Sequence, residues 1–282
     1  RAMLNNGTIS LTGTSAVGIY TDYGTITNNS TVNSTGHDGI GLFGENGSTV
    51  LNNTGAVINV GNLGIGMYGI SYQNPASPQV YGTGTVSLTN KGTINANTGL
   101  SSVGMYGTAL LGKAGSVIND ASGIINIGES SQGMYFKDEG APLNIFTNNG
   151  QLLSSSTDTV GMYLDNPTST IITNTGTINL TGDKSRGIYI TNNGATTVTN
   201  TGNITVGGSS VINDPSIGIY SENSTDTINN TGNITAGVNS LGIYSKTAIV
   251  NHLSGTIKVG DNGTAIYSDQ GNITIGSGAT IT

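Results

Sequence analysis

The chain has 282 residues, 45 glycines, no cysteine, no tryptophan and a net charge of −7, with only 8% of its residues charged. Its 8 basic residues are scattered, which argues against nucleic-acid binding because that function requires clustered Lys and Arg. The absence of cysteine excludes disulfides, iron–sulfur clusters and thiol catalysis, and no apolar run approaches the ~18 residues of a membrane-spanning helix.

A repeat that ends in Gly-x-aromatic runs along the whole chain. Its aromatic residues are Tyr20, Phe43, Tyr68, Tyr106, Tyr135, Tyr163, Tyr189, Tyr220, Tyr244 and Tyr267. Each copy also contains an Asn block of the form Asn-x-Gly-[Thr/Asn]-Ile, exact in some copies and looser in others. The first Asn of the block is assigned to Asn5, Asn28, Asn53, Asn90, Asn119, Asn148, Asn174, Asn200, Asn230 and Asn251. Ten copies over the full length indicate a repeat architecture.

Apolar residues alternate within each copy, as in Ile178-x-Leu180 and again in Ile217-x-Ile219. A period of two predicts strands with one buried face, and frequent glycines disfavour helices. The sequence therefore predicts an all-β chain, and its high content of Thr, Ile and Val supports this class.

Stacking of the repeats follows from energetics. A lone coil buries about four to six aliphatic side chains at ~1.5–3 kcal/mol each, less than the ~1–2 kcal/mol of backbone entropy lost by each ordered residue. Only neighbouring coils supply the deficit. We therefore expect a single domain over residues 1–282, a right-handed parallel β-helix (β-solenoid) of about ten coils and roughly 50 Å.

Three local expectations accompany this fold. The Gly of each Asn block should supply a corner with positive φ, and the Asn amides should stack in a ladder. The tyrosines should face outward, because the position two residues later often carries a charge that a narrow core excludes. These charged residues are Asp22, Glu45, Asp165, Glu222, Lys246 and Asp269, of which the last three form an alternating ladder.

Lateral insertions interrupt the repeat near residues 70–84, 137–143 and 207–216. Loops on a rigid scaffold are frequent sites of recognition, and Tyr with Asn and Gln suits contacts with a glycan or a protein. The candidate ligand-binding loop is 70–84, with Tyr72, Gln73, Asn74, Gln79 and Tyr81 as its candidate residues. The alternative is a functionless bulge, because surface insertions cost little stability.

Motifs of catalysis and cofactor binding give no credible site. Two G-x-G-x-x-G matches, at 39–44 and 64–69, are copies of the repeat strand and open no helix. His37 and His252 are distant in sequence and have no cysteine partners, so no metal site is predicted. Asp22 and Glu45 occupy one position of adjacent coils and keep a carbohydrate-active β-helix as an alternative. We expect no enzyme and no cofactor.

The blocks "NTGTINL" and "NTGNITA", each followed by "GIY", resemble the passenger domains of type V (monomeric) autotransporter adhesins, most closely the large outer-membrane autotransporters of fusobacteria. The resemblance implies a fragment of a longer precursor, whose signal peptide and translocator barrel are missing from this sequence. It also implies an extracellular location on the bacterial surface or outer membrane. The resemblance transfers no site residue.

The leading hypothesis is a surface adhesin segment that attaches to host cells, through a protein receptor or glycan, or to other bacterial cells. A passive spacer that presents a distal binding tip is the alternative, with the carbohydrate-active enzyme as a third. No nucleic-acid partner and no membrane insertion by this segment are expected.

Overall fold

The computed structural model describes residues 1–71, 85–110, 114–139, 143–165, 170–191, 194–211, 213–223 and 225–282. Every regular element in these ranges is a β-strand, as the period-two pattern predicts. Within the described residues, no helix is long and apolar enough to cross a membrane.

Three kinds of strand recur in each coil. The first strands are β1 (Ala2–Asn5), β4 (Thr25–Asn28), β7 (Thr49–Asn52), β10 (Val86–Asn90), β13 (Gly115–Asn119), β16 (Asn144–Asn148), β19 (Thr170–Asn174), β22 (Thr197–Asn200) and β25 (Thr227–Asn230). The second strands are β2 (Ile9–Leu11), β5 (Thr31–Ser34), β8 (Val57–Val60), β11 (Thr93–Ala96), β14 (Ile124–Ile127), β17 (Gln151–Ser154), β20 (Thr177–Leu180), β23 (Asn203–Val206) and β26 (Asn233–Ala236). Two long strands, β28 (Ile249–Val259) and β30 (Ile273–Ile281), run through both positions.

The third kind, the aromatic strands, end each coil. They are β3 (Val17–Asp22), β6 (Ile40–Glu45), β9 (Ile65–Ser71), β12 (Val103–Leu110), β15 (Gln132–Glu139), β18 (Val160–Asp165), β21 (Arg186–Thr191), β24 (Ile217–Ser221), β27 (Leu241–Ser245) and β29 (Thr264–Ser268). They form one ten-stranded sheet in coil order, and the first and second strands belong to a twenty-stranded sheet. Equivalent strands pair in parallel and in register, for example Tyr189 beside Tyr220. The predicted β-solenoid of about ten coils is confirmed.

The core consists of aliphatic side chains stacked in columns between the strands. One coil buries Ile172, Ile178, Leu180, Ile188 and Ile190, all at 0% exposure. These five side chains agree with the four to six per coil on which the stacking argument rests. The residue before each outer aromatic points inward, as predicted.

A ladder of asparagine side chains runs inside the solenoid at the end of the first strands. Its members are Asn5, Asn28, Asn52, Asn90, Asn119, Asn148, Asn174, Asn200 and Asn230. Each Nδ2 donates to Oδ1 of the next, over 2.6–2.9 Å. The assignments of Asn53 and Asn251 are wrong by one residue. Asn52 takes the ladder position predicted for Asn53, because four residues separate it from the second strand whereas two follow Asn28. His252 takes the position predicted for Asn251.

The glycines of the Asn blocks have a different role from the one predicted. Among the glycines of the Asn blocks, only Gly55 and Gly255 have positive φ. A Cβ at Gly176 would lie 2.1 Å from the carbonyl oxygen of Gly150, and one at Gly202 would lie 2.1 Å from that of Gly176. Glycine is needed there because successive corners are in backbone contact. The same holds in the aromatic strands, where the added Cβ would meet the carbonyl of the following coil at 2.4–2.9 Å.

Positive φ is concentrated at another corner, just before the aromatic strand. It is adopted there by residues other than glycine, namely Ser15, Asp38, Leu63, Ser101, Ser130, Asp158, Lys184, Asn239 and Asn262. In seven of these nine residues the backbone amide donates to a carbonyl of the next coil, as Asp158 does to Asp183 over 2.9 Å. Stacking of one corner on the next therefore stabilises a conformation that these residues rarely adopt.

Candidate functional site

The predicted ligand loop lies mostly outside the described residues, which stop at 71 and resume at 85. Tyr72, Gln73, Asn74, Gln79 and Tyr81 all fall in this gap, so their role stays a prediction. The small insertion at 137–143 is described only at its two ends. There Lys137 and Glu139 form an ion pair on the surface.

An aromatic column covers the outer face of the ten-stranded sheet. The ten rings of the repeat are stacked coil upon coil, with centroids 4.6–5.4 Å apart. Tyr20 and Tyr267, at the two ends, are 48% and 45% exposed, and the rings between them are half-buried by their neighbours. The outward orientation predicted for the tyrosines is confirmed, and each ring pair contributes about 0.5–1.5 kcal/mol beyond its buried area.

Tyrosine hydroxyls in this column donate to carboxylates beside it. Tyr135 Oη lies 2.9 Å from Asp165 Oδ2 of the next coil, and Tyr20 Oη lies 2.8 Å from Glu45 Oε2. Burial, followed by the hydrogen bond to Asp165, raises the pKa of Tyr135. The Tyr135 hydroxyl therefore remains a protonated donor at neutral pH.

An aliphatic column runs beside the rings on the same outer face. In coil order it contains Val17, Ile40, Ile65, Val103, Gln132, Val160, Arg186, Ile217, Leu241 and Thr264. Together the aromatic and aliphatic columns form what we call the lateral stripe. The stripe is partly exposed: Val160 and Ile217 are buried, and polar residues interrupt the aliphatic column at three positions. A partly exposed apolar surface of this length is typical of an interaction surface.

The insertion at 207–216 rises beside the lateral stripe and is held rigidly. Its residue 212 lies outside the described part of the chain. Ser209 Oγ lies 2.9 and 2.7 Å from the carbonyl oxygens of Val211 and Asp214, within reach of its single hydroxyl donor. Ser216 Oγ closes the loop on the carbonyl of Gly208 at 2.9 Å. Compact loops closed in this way are frequently functional.

A charged cluster ties this insertion to the preceding coil. Arg186 Nη2 and Lys184 Nζ contact the two carboxylate oxygens of Asp214 at 3.1 and 3.2 Å. The Arg186 guanidinium also approaches Asp158 at 3.5 Å and lies 5.3 Å from the ring centre of Tyr189. The planar Arg side chain suits such simultaneous pairing and stacking.

A second tether runs from the same coil to the insertion. Ser210 donates to Asp183 through its backbone amide at 3.0 Å and through its hydroxyl. These bonds from Ser210 hold the pKa of Asp183 below its usual value. With ties at both Ser210 and Asp214, the insertion is fixed in place before any ligand arrives.

A groove lies between the insertion and the lateral stripe. It has a volume of about 300 Å³ and is lined by Arg186, Tyr189, Asn213, Asp214, Pro215, Ile217, Tyr220, Leu241 and Tyr244. An adjoining section of about 260 Å³ shares Pro215 and Leu241 and adds Asn239, Ser240 and Asn262. Apolar walls with a few convergent polar groups are typical of ligand sites. This groove is the candidate functional site.

The carboxylates proposed for the enzyme alternative are neighbours, as the register predicts. However, Glu45 accepts the hydroxyl of Tyr20, and Asp22 accepts Nδ2 of Asn46 at 3.0 Å. Both belong to the hydrogen-bonded edge of the lateral stripe, which is a poor setting for a general acid. The enzyme alternative gains no support from this pair.

The histidines lie in unrelated settings. His37 is exposed and contacts the adjacent Asp38 at 2.8 Å. His252 is fully buried at the end of the asparagine ladder, where Nδ1 lies 3.0 Å from Nδ2 of Asn230. Because that amide nitrogen can only donate, His252 accepts at Nδ1 and carries its proton on Nε2. In the described residues, no group of three His, Cys, Asp or Glu side chains could hold a metal ion.

The alternating charge ladder predicted for the last three coils is not an ion-pair ladder. Among the described residues, no ion pair within 4.0 Å joins Glu222, Lys246 and Asp269. Glu222 instead accepts the hydroxyl of Tyr220 at 2.5 Å.

The sequence analysis did not identify two carboxylates that are buried among the described residues. Asp138, near the end of the aromatic strand β15, is 0% exposed, and Asp226, in the corner before β25, is 1% exposed. Asp226 accepts the Ser221 hydroxyl at 2.6 Å and the Thr196 amide at 2.9 Å. Burial raises the pKa of Asp226 to about 6, although these hydrogen bonds oppose the shift. Small polar residues donate hydrogen bonds to both carboxylates. Because such residues occur throughout the chain, these two sites could not be recognised from one sequence.

The groove itself was only partly foreseen. The insertion at 207–216 was located from its length, but Arg186 and Tyr189 belong to the preceding coil and Leu241 and Tyr244 to the following one. The signal in the sequence for this site was the extra length of the copy that contains the insertion. Comparisons with known protein families, curated proteins and solved structures give no match for this chain.

Proposed function

We propose that this chain is a binding segment of a bacterial cell-surface adhesin, a rigid β-solenoid whose lateral surface attaches to host cells or to other bacteria. The observation that carries the proposal is the groove formed where the tethered insertion meets the lateral stripe. A preformed groove avoids the entropy cost of ordering a loop on binding, and the solenoid holds it at a fixed place along a long rod.

The stacked architecture supports an extracellular role. Each coil contacts only its neighbours, so the chain can fold progressively from one end. Folding of this kind suits a protein that reaches the cell surface as an unfolded chain. The partner is a protein receptor or a glycan on the opposing cell, in keeping with an outer lining of Tyr, Asn and Arg side chains.

The competing function is a passive spacer that presents a binding tip elsewhere in a longer chain. The continuous asparagine ladder and the stacked aromatic column favour it, because both stiffen the rod along its axis without any ligand. A spacer, however, has no use for an insertion tied down by Ser210 and Asp214.

The test is attachment of the purified chain to host cells and to bacterial cells, compared with two shortened variants. In the first, residues 208–215 are replaced by the Val-Asn pair that forms the same corner in the next coil, Val238–Asn239. In the second, residues 72–84 are reduced to a short turn. Both must keep the β circular dichroism of the parent.

We expect attachment by the parent chain and its loss in the 208–215 variant. Loss only in the 72–84 variant would move the site to the loop predicted from the sequence. Absence of attachment by the parent would favour the spacer.

A further inference from the structure

The groove beside the insertion has a lining that selects among classes of ligand. We propose that it binds a neutral oligosaccharide. This inference rests on the proposed binding function and names the ligand class of the same site.

The backbone around the groove excludes recognition of a peptide as an added strand. Strand β24, which forms the floor, pairs with β21 on one side and with β27 on the other. A peptide that extends a sheet needs an unpaired strand edge, and β24 offers none. The ligand must therefore be recognised by groups that project from the stripe and from the insertion.

The charges at the groove favour an uncharged ligand. Asp214 is neutralised by Arg186 and Lys184, and Arg186 is shared with Asp158. An anionic ligand would have to take Arg186 from two carboxylates, and a cationic ligand would have to displace both cations from Asp214. A neutral ligand leaves these ion pairs intact, and with them the tether of the insertion.

The polar side chains of the groove that are not in ion pairs can form hydrogen bonds with hydroxyl groups of a ligand. Within the described residues, the side chains of Asn213 and Tyr244 make no hydrogen bond, although both line the groove. A carboxamide supplies two donors and an acceptor, and a tyrosine hydroxyl both donates and accepts. A sugar hydroxyl, which also donates and accepts, can satisfy both residues without a change of protonation.

The apolar part of the lining completes the fit. Ring faces along the column are covered by their neighbours, as in the stacked pair Tyr220–Tyr244, whose planes differ by 9°. The groove therefore offers ring edges together with Pro215, Ile217 and Leu241. The C–H face of a pyranose packs on such a surface. The two adjoining sections, of about 300 and 260 Å³, favour an oligosaccharide over a single sugar.

Saturation-transfer NMR on the 282-residue chain tests the proposal. The probes are cellotriose, maltotriose and triacetylchitotriose, with trigalacturonic acid as the anionic counterpart. The double variant Asn213→Ala/Tyr244→Phe removes the two hydrogen-bonding groups. Tyr106→Phe is the matched control, because it alters the same aromatic column outside the groove.

We expect signal from at least one neutral trisaccharide, binding about tenfold weaker in the double variant, and unchanged binding in Tyr106→Phe. The proposal is overturned if no neutral trisaccharide binds, if the double variant binds equally well, or if trigalacturonic acid binds best. Cell attachment that depends on residues 208–215 without saccharide binding would retain the adhesin function and reject only this ligand class.

Discussion

The asparagine ladder gives the sharpest test of what stabilises the solenoid. Asn174 is fully buried, and its amide links Asn148, at 2.8 Å, to Asn200, at 2.7 Å. The substitution Asn174→Ala leaves the Asn148 donor without its close acceptor and the Asn200 acceptor without its donor. Each buried group left unsatisfied costs about 1–3 kcal/mol, so we expect the free energy of unfolding to fall by about 2–6 kcal/mol.

The matched control is Thr175→Ala at the adjacent position. Thr175 Oγ1 also makes a hydrogen bond to an Asn of the preceding coil, Asn149 at 2.8 Å, but this bond is exposed. A surface substitution of this kind changes stability by about 0.5 kcal/mol or less. The contrast between the two variants therefore isolates the effect of burial.

Urea unfolding followed by circular dichroism measures the global effect. Hydrogen exchange measures the local one, because a stack with only nearest-neighbour contacts can open in part. We expect faster exchange in the coils on either side of Asn174 and unchanged exchange in distant coils. Equal stability of the two variants would refute the role assigned to the ladder.

Three further predictions follow from the structure. Because the pKa of Asp226 is about 6 when folded and 3.8 in its ordinary state, stability should decrease as pH rises from about 4 to 6. The decrease should total about 3 kcal/mol, and urea midpoints of Asp226→Asn should lack this slope; an identical slope in the variant would contradict it. Gly187→Ala places a Cβ 2.4 Å from a carbonyl oxygen of the following coil, whereas Gly7→Ala meets nothing within 4 Å. We therefore expect a loss of about 1–3 kcal/mol in thermal unfolding only for the first, and similar melting of both would be evidence against the contact. Arg186→Gln should loosen the insertion and speed its cleavage by protease at 207–216, while unchanged cleavage would show that the contacts of Lys184 and Ser210 suffice as tethers.

Much of the fold could be predicted from the sequence because every coil repeats the same pattern. The number of coils follows from the number of copies, the parallel register from stacking equivalent strands of those copies, and the outward tyrosines from the charged position that follows them. The prediction failed where a residue's role depends on another coil. Gly176 was assigned a positive φ, whereas its constraint is the carbonyl of Gly150 in the coil before it.

Features that differ between coils could not be predicted from the sequence either. Phe136 points into the core, where a Cβ added to Gly107 or Gly115 would approach its ring within 2.7–2.8 Å. The large ring therefore depends on small residues in the preceding coil. The groove could not be predicted for the same reason, because Arg186, the insertion and Leu241 line it from three successive coils. Alignment of the copies shows where residues are inserted, but it does not show which side chains of the neighbouring coils contact them.

The asparagine ladder has a direction, which gives the rod an electrical polarity. Every inner amide donates toward the C-terminal coils, so the amide dipoles add along the axis in a medium of low dielectric constant. On the surface, Asn126, Asn95 and Asn59 donate the opposite way, toward Asn33, but water screens that row. The buried row therefore contributes a dipole whose positive end faces His252 and whose negative end faces Asn5.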